Sequence, residues 1–253
     1  MKVSFLGTGT SQGVPVIGCD CKVCKSADAK DKRLRSAIHI QDGDLSIVVD
    51  TGPDFRQQML RSNIRALDAV IFTHEHKDHT AGLDDIRAYN HIQQRHMDIY
   101  LTAHVEQALR KDYAYIFAED KYPGIPLVNL HRIENKPFRI EHCQITPIEV
   151  FHYKLPVFGY RMNDFTYITD AKTISPNELE KVIGTKILVI NALRKEKHIS
   201  HFTLDEALEI IDWVKPETAY LTHLSHQMGL HEEIEASLPA SVKIAYDGLI
   251  LEF

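Results

Sequence analysis

His74-Glu75-His76-Lys77-Asp78-His79 follows the apolar run 69–72 and matches the pattern H-x-H-x-D-H. On a tight loop leaving a strand, His74 and His76 can aim at one point while Asp78 and His79 aim at another, which is the geometry of two metal ions. The same situation recurs along the chain. The strand-like run 45–49 leads into Asp50, 145–151 into His152, 165–168 into Thr169-Asp170, and 218–221 into Thr222-His223. Five runs therefore end on side chains able to bind or orient a metal, and strand ends are where a rigid scaffold presents chemistry.

Two coordination shells can be completed from these positions. The expected arrangement has His74, His76 and His152 on one ion, Asp78, His79 and His223 on the other, and Asp170 between them. Imidazole and carboxylate donors suit Zn, Mn or Fe, and three or four protein ligands leave room for a bridging water that becomes a nucleophile at neutral pH. With two carboxylates and a hydroxide against four positive charges, the centre keeps one positive charge and suits a singly charged phosphodiester. Asp50, in Val49-Asp50-Thr51-Gly52, reads as a residue that hydrogen-bonds the ligand loop rather than a ligand.

A second cluster lies near the start. Cys19, Cys21 and Cys24 form C-x-C-x-x-C, and three thiolates at that spacing wrap one Zn and need a fourth ligand. His226, in Thr222-His223-Leu224-Ser225-His226, is the candidate. The glycine-rich run 7–15 before the cysteines lacks the Gly-Lys-Ser/Thr of a phosphate loop and reads as a flexible turn feeding them. Cys143, alone, reads as a small buried hydrophobe.

The remainder of the chain fits this picture. Its 253 residues are 44% hydrophobic and 25% charged, the composition of a globular protein with a full core. The strand-like runs 2–6, 36–40, 99–101, 187–190 and 242–246 join those above. Helix starts are marked by Ser175-Pro176-Asn177-Glu178 and by the capping box Thr203-Leu204-Asp205-Glu206. The expectation is an α/β protein with a single domain over 1–253. Apolar runs are far shorter than the ~20 residues of a membrane span. Residues 1–6 read as a strand rather than an export signal, so a reduced, cytoplasmic setting is expected. With 29 Lys and Arg against 35 Asp and Glu, the net charge of −6 exerts no general pull on nucleic acid, although a local basic patch stays open.

The set Asp50, His74-x-His76-x-Asp78-His79, His152, Asp170 and His223 resembles the five motifs of the metallo-β-lactamase fold superfamily, in their usual order. The resemblance implies a four-layer αββα sandwich. The loop 7–15, the Cys19–Cys24 cluster and the segment 222–227 resemble one subfamily more closely, the phosphoribosyl 1,2-cyclic phosphate phosphodiesterases. That resemblance implies a structural Zn on Cys19, Cys21, Cys24 and His226, and two divalent ions, Mn or Zn, in the active site. It also implies a small cyclic ribose phosphate as substrate and His201 as general acid towards the leaving oxygen. His201 and the ligand Asp78 are the expected catalytic residues. Residues 191–194 depart from the subfamily, which leaves the substrate open, and Arg194 reads either as a phosphate contact or as a partner for a surface carboxylate.

Other readings share the active-site motifs: a tRNA 3′-processing nuclease, a thioesterase, a lactonase, or a non-catalytic metal-binding module. The first would be expected to carry a basic or Gly/Pro-rich arm, and the hydrolases of small esters usually lack a three-thiolate cluster. No membrane partner is expected, and a homodimer is compatible with the sequence.

Overall fold

The computed structural model describes residues 1–120 and 122–253. Its strands are β1 (Lys2–Gly7), β2 (Ala37–Asp42), β3 (Leu45–Val49), β4 (Ala69–Ile71), β5 (Met97–Leu101), β6 (Val128–Arg132), β7 (Phe138–Ile140), β8 (Cys143–His152), β9 (Leu155–Met162), β10 (Phe165–Ile168), β11 (Thr173–Ile174), β12 (Ile187–Asn191), β13 (Thr218–Thr222), β14 (Val242–Ile244) and β15 (Ile250–Glu252). They form two sheets, and the chain divides into two compact units, each discontinuous in sequence.

The first unit comprises Met1–Leu6, Ala37–Glu134 and Ile250–Phe253. Its sheet has the order β15-β1-β2-β3-β4-β5-β6. β2 and β3 form an antiparallel hairpin, and β3 to β6 run parallel. Parallel neighbours need crossover connections, and the helices Phe55–Arg61, Arg87–Gln93 and Ala103–Asp112 supply them. Every residue of β3 (LSIVV) is buried, as a strand covered on both faces requires. Phe55, Met59, Val70, Phe72 and Leu83 pack in the core of this unit.

The second unit comprises Gly7–Ser36 and Asn135–Leu249. Its sheet has the order β11-β8-β9-β10-β12-β13-β14, with β7 also paired to β8. β10, β12, β13 and β14 are parallel. The Thr203 capping box is formed, with the Glu206 N–H donating to Thr203 Oγ1 at 3.2 Å and the Thr203 N–H to Glu206 Oε2 at 2.9 Å. It opens the helix Leu204–Val214, which buries Leu204, Ala207, Ile211 and Val214. Ser175 caps Pro176–Glu180 one way only, its Oγ accepting from the Glu178 N–H at 3.4 Å.

All ten strand-like runs are strands, with ends shifted by at most two residues, and five further strands occur. β9 hides behind Pro156 and Gly159, which signal a turn. Gly159 instead lets β10 approach, since a Cβ there would lie 2.9 Å from Tyr167 O and from Ile168 Cγ1. The run 7–15 is likewise not a loose turn. The Gly9 N–H donates to Leu34 O at 2.8 Å and the Thr10 N–H to Leu224 O at 3.1 Å, and a Cβ on Gly9 would meet Arg33 Cβ at 2.9 Å. The run is short of side chains because backbones crowd around it. No helix among the described residues is long and apolar enough to cross a membrane.

Parallel strands present their C-terminal ends at one edge, the usual position of chemistry in α/β sheets. In the first unit Val49 pairs with Ile71, so the chain leaves towards Asp50 and His74 from neighbouring ends. In the second, Ile168 pairs with Ile190 and Asn191 with Thr222, which places Asp170, Asn191 and His223 together. Asp50, Asp170 and His223 all have left-handed backbones, with φ of 68°, 55° and 57°. Non-glycine residues seldom adopt this conformation, and it is concentrated at functional sites.

Candidate metal centres

In the first unit, Asp50 is fully buried. Its Oδ1 accepts from the Thr73 N–H at 2.9 Å, and its Oδ2 lies 2.8 Å from Thr73 Oγ1 and 2.7 Å from His79 Nδ1. A carboxylate oxygen only accepts, so His79 Nδ1 carries the proton and Nε2 keeps the lone pair. The Thr73 hydroxyl gives its single proton to Asp50, so it accepts from His74 Nδ1, 3.0 Å away. His74 is thereby held in the same tautomer. One buried carboxylate sets the ligand nitrogen of two histidines. Burial pushes the Asp50 carboxyl upward, against the opposing pull of His79 and Thr73. The rings of His76 and His79 lie 4.7 and 4.3 Å from that of His74, and Asp78 Oδ2 is 3.3 Å from His79 Nε2. The Thr51 N–H donates to His79 O and the Gly82 N–H to Thr51 O, both at 2.8 Å, which docks the ligand loop on the turn after Asp50.

In the second unit, His152 Nδ1 donates to the carbonyl of Ser200 at 2.8 Å. His223 Nδ1 lies 3.2 Å from Ser36 Oγ and 3.3 Å from Thr169 Oγ1. Those hydroxyls spend their protons on Gly9 O (2.9 Å) and Asp170 Oδ2 (2.7 Å), so His223 Nδ1 is the donor and Nε2 holds the lone pair. The Thr10 hydroxyl lies 3.2 Å from that Nε2. Asn191 pins the turn after Asp170, accepting from the Ala171 N–H at 2.8 Å and donating to Ala171 O at 2.9 Å. His152, Asp170 and His201 bring one potential ligand atom each within 4.8 Å of one another. The His201 ring sits 4.4 Å from that of His152 and stacks 4.9 Å from that of His223. Burial, then the neighbouring His223, drives His201 down to about 2, so it is a neutral imidazole in this environment.

The cysteine set lies wholly within the second unit. His226 Nδ1 is 3.2, 3.4 and 3.5 Å from the Sγ of Cys19, Cys21 and Cys24. Ordinary Zn–S and Zn–N bonds arranged tetrahedrally separate S from N by about 3.5 Å, so the four atoms frame a cavity of zinc's size. The backbone N–H of Cys24 stabilises the Cys21 thiolate and lowers it to about 6, whereas burial pushes Cys24 up to about 11. Ligation requires the thiolate form, so a cation bound here would drive off the proton that Cys24 otherwise keeps.

The structure thus brings His74, His76, Asp78 and His79 together in one unit, and His152, Asp170, His201 and His223 in the other. Cys19, Cys21, Cys24 and His226 form a third group. The donor sets fit divalent metals: four of the expected ligand imidazoles, His74, His79, His152 and His223, are fixed as Nε2 bases by partners on Nδ1, the usual arrangement of metal-binding histidines. Sequence reading anticipated Asp50, the partner of His79, and missed the others. Thr73, Ser36, Thr169 and the Ser200 carbonyl carry no motif, and only Thr73 and Thr169 adjoin a ligand in sequence.

Residues 46–224 match the family described as the beta-lactamase superfamily domain. The structure is similar to that of a diphosphatase from the PhnP family, with a TM-score of 0.93 and 38% identity, covering 100% of this chain and 97% of that one. It shares its fold with Zn²⁺-bound PqqB from Methylobacterium extorquens, at a TM-score of 0.78, 17% identity and full coverage of both chains. By sequence it is 39% identical to an octanoyltransferase of Porphyromonas gingivalis over 252 residues, which is 98% of this chain and 51% of that protein. It is also 34% identical to the coenzyme PQQ synthesis protein B of Methylobacterium nodulans over 101 residues, 34% of either chain. The chain therefore spans about half the length of the first of these curated relatives and about a third of the second.

Proposed function

The chain belongs to the metallo-β-lactamase superfamily of hydrolases, among its PhnP-like members, and from that premise we propose that it is a metal-dependent phosphodiesterase opening a cyclic phosphate of ribose. In this reading His74, His76, Asp78, His79, His152, Asp170 and His223 hold two divalent ions, Mn or Zn. Bound there, such ions supply an activated water and positive charge for the phosphoryl oxygens. The supporting observation is the common tautomer of four imidazoles, which directs their Nε2 lone pairs to ligation.

The chain's own residues support this substrate class. Only Asp78 and Asp170 among the seven ligands are carboxylates, so a divalent pair stays cationic and suits a singly charged phosphodiester. Asp50 acts through His74 and His79 by holding their ring protons on Nδ1. His201, beside the rings of His152 and His223, serves the departing oxygen. Burial keeps its ring neutral in the free chain, which leaves one ring N–H to donate towards that oxygen. Cys19, Cys21, Cys24 and His226 hold a structural Zn in this reading.

A second reading, cleavage of a disubstituted diphosphate, is favoured by the 38% identical neighbour described as a diphosphatase. Phosphorus is again singly charged and only the leaving group differs. Metal-loaded protein assayed against a ribose cyclic phosphate, a disubstituted diphosphate, an oligonucleotide, a thioester and a lactone separates these readings. Fastest turnover of the cyclic phosphate supports the first. Preference for the thioester or lactone would defeat both, and the thioester also addresses the acyl chemistry in the name of the longer relative.

A further inference from the structure

Between Leu193 and Phe202 the second unit makes an eight-residue excursion that carries both Ser200, whose carbonyl orients His152, and His201. Its base is closed: the Leu193 N–H donates to Phe202 O at 2.9 Å, the Leu204 N–H to Arg194 O at 2.9 Å, and the Phe202 N–H to Ala171 O at 2.8 Å. Among the described residues, no backbone-to-backbone hydrogen bond reaches 195–201. Side chains hold this segment instead. Arg194 Nη2 donates to Lys197 O at 2.9 Å, Nε to Glu196 O at 3.3 Å, and Nη1 to Gln227 Oε1 at 2.7 Å. The planar guanidinium, with donors fixed in a fork, suits three acceptors at once, and lysine could not replace it.

The far end of this clamp is itself anchored. Ser225 donates twice to Leu193 O, from its N–H at 3.0 Å and its hydroxyl at 2.9 Å, and its Oγ accepts from the Gln227 N–H at 3.2 Å. Gln227 follows His226, the histidine of the cysteine set. The guanidinium thus spans from the excursion to the segment that carries both His223 and His226.

We propose that Arg194 is a positioning residue: it clamps residues 196–197 to Gln227 and so holds the Ser200 carbonyl on His152 and the ring of His201 in place. It acts through those residues, not by touching substrate. Its catalytic consequence rests on the phosphodiesterase reading; the clamp itself does not.

The test uses metal-loaded full-length protein with Arg194→Ala, Gln227→Ala, the double variant and Gln227→Glu, which keeps an acceptor facing the guanidinium. Three readouts are taken: amide hydrogen exchange at Leu193, Phe202 and Leu204, whose N–H groups close the base of the excursion, Mn²⁺ affinity, and kcat and KM on a ribose cyclic phosphate. Arg194→Ala should speed exchange at these three base amides by roughly tenfold, as expected when about two hydrogen bonds holding the excursion are lost. It should weaken Mn²⁺ binding and lower kcat by about tenfold or more, the usual effect of removing support from ligands, with KM little changed. The double variant should be no worse than Arg194→Ala, because both changes remove one contact, and Gln227→Glu should restore most of the loss. A raised KM with unchanged exchange and kcat would make Arg194 a substrate contact and overturn the proposal, as would unaltered exchange and Mn²⁺ affinity. If the wild type cleaves no phosphodiester, the functional reading fails while exchange and Mn²⁺ affinity still decide the clamp.

Discussion

Replacing Asp50 by Asn keeps its shape and changes one acceptor into a donor. Both carboxylate oxygens are committed: Oδ1 to the Thr73 N–H at 2.9 Å, Oδ2 to Thr73 Oγ1 at 2.8 Å and His79 Nδ1 at 2.7 Å. If the new amide nitrogen takes the Oδ1 place, it meets the Thr73 N–H, donor against donor. If it takes the Oδ2 place, His79 must move its proton from Nδ1 to Nε2, which removes the lone pair a metal would use. Neither orientation satisfies the site. One buried donor left unsatisfied costs about 1–3 kcal/mol. At about 1.4 kcal/mol per tenfold, the middle of that range is a factor of roughly 30. In the first orientation the loss falls on folding, and in the second on metal affinity. Urea unfolding of the metal-free variant, Mn²⁺ titration and ¹⁵N shifts of the His79 ring divide the loss between them. The two losses should sum to about 2 kcal/mol, and Asp50→Ala, which strips all three acceptors, should lose more. A variant with unchanged unfolding, Mn²⁺ affinity and His79 tautomer would refute the view that Asp50 sets the ligand nitrogens.

His201→Ala should slow opening of a ribose cyclic phosphate by about 10²- to 10⁴-fold with metal content unchanged, and slow an aryl phosphodiester much less, since phenolate departs without a proton; equal losses on both substrates would reject the acid role. Cys21→Ser should release one Zn per chain, measured by elemental analysis, and lower the melting temperature, because binding at such a site is folding free energy. His39 is buried in the first unit, its Nε2 donating to Ser46 Oγ at 2.9 Å, and burial lowers it from 6.5 to about 4. Its folded pKa lies below the unfolded one, so it is stabilising as a neutral group at pH 7, and that contribution is lost as pH falls from about 6.5 to about 4. At about 1.4 kcal/mol per pH unit, the stability gap between wild type and His39→Gln should shrink by roughly 3 kcal/mol across that window in denaturant titrations; a constant gap would show that His39 does not titrate as inferred.

Much of the fold could be read locally. The ten strand-like runs announce themselves by β-branched and aromatic residues, and both capped helices by their side chains. The strands that escaped notice are of another kind. β6 (VNLHR) is largely polar and exposed, β11 has two residues, and β9 carries a proline and a glycine that only the close approach of β10 explains. The run 7–15 escaped for a related reason: its glycines report backbones packed against it from residues 33–34, which no local pattern discloses.

At the site the division is sharper. His74, His76, Asp78 and His79 sit within six residues, so strand-end spacing alone brings them together, and the Cys19–Cys24 spacing does the same for three thiols. Which ring nitrogen of each histidine is left to bind was decided by tertiary structure. His223 takes its Nδ1 partner from Ser36, 187 residues away, and His152 takes its own from Ser200, 48 residues away. Arg194 shows the same limit, since one side chain reads as a phosphate contact or a surface cation until its three acceptors are seen. Sequence spacing constrains atoms only over the few residues that a turn or strand makes rigid. A hydrogen bond instead depends on distance and direction to within a few tenths of an ångström, so a tautomer or a clamp exists only once separate segments have packed.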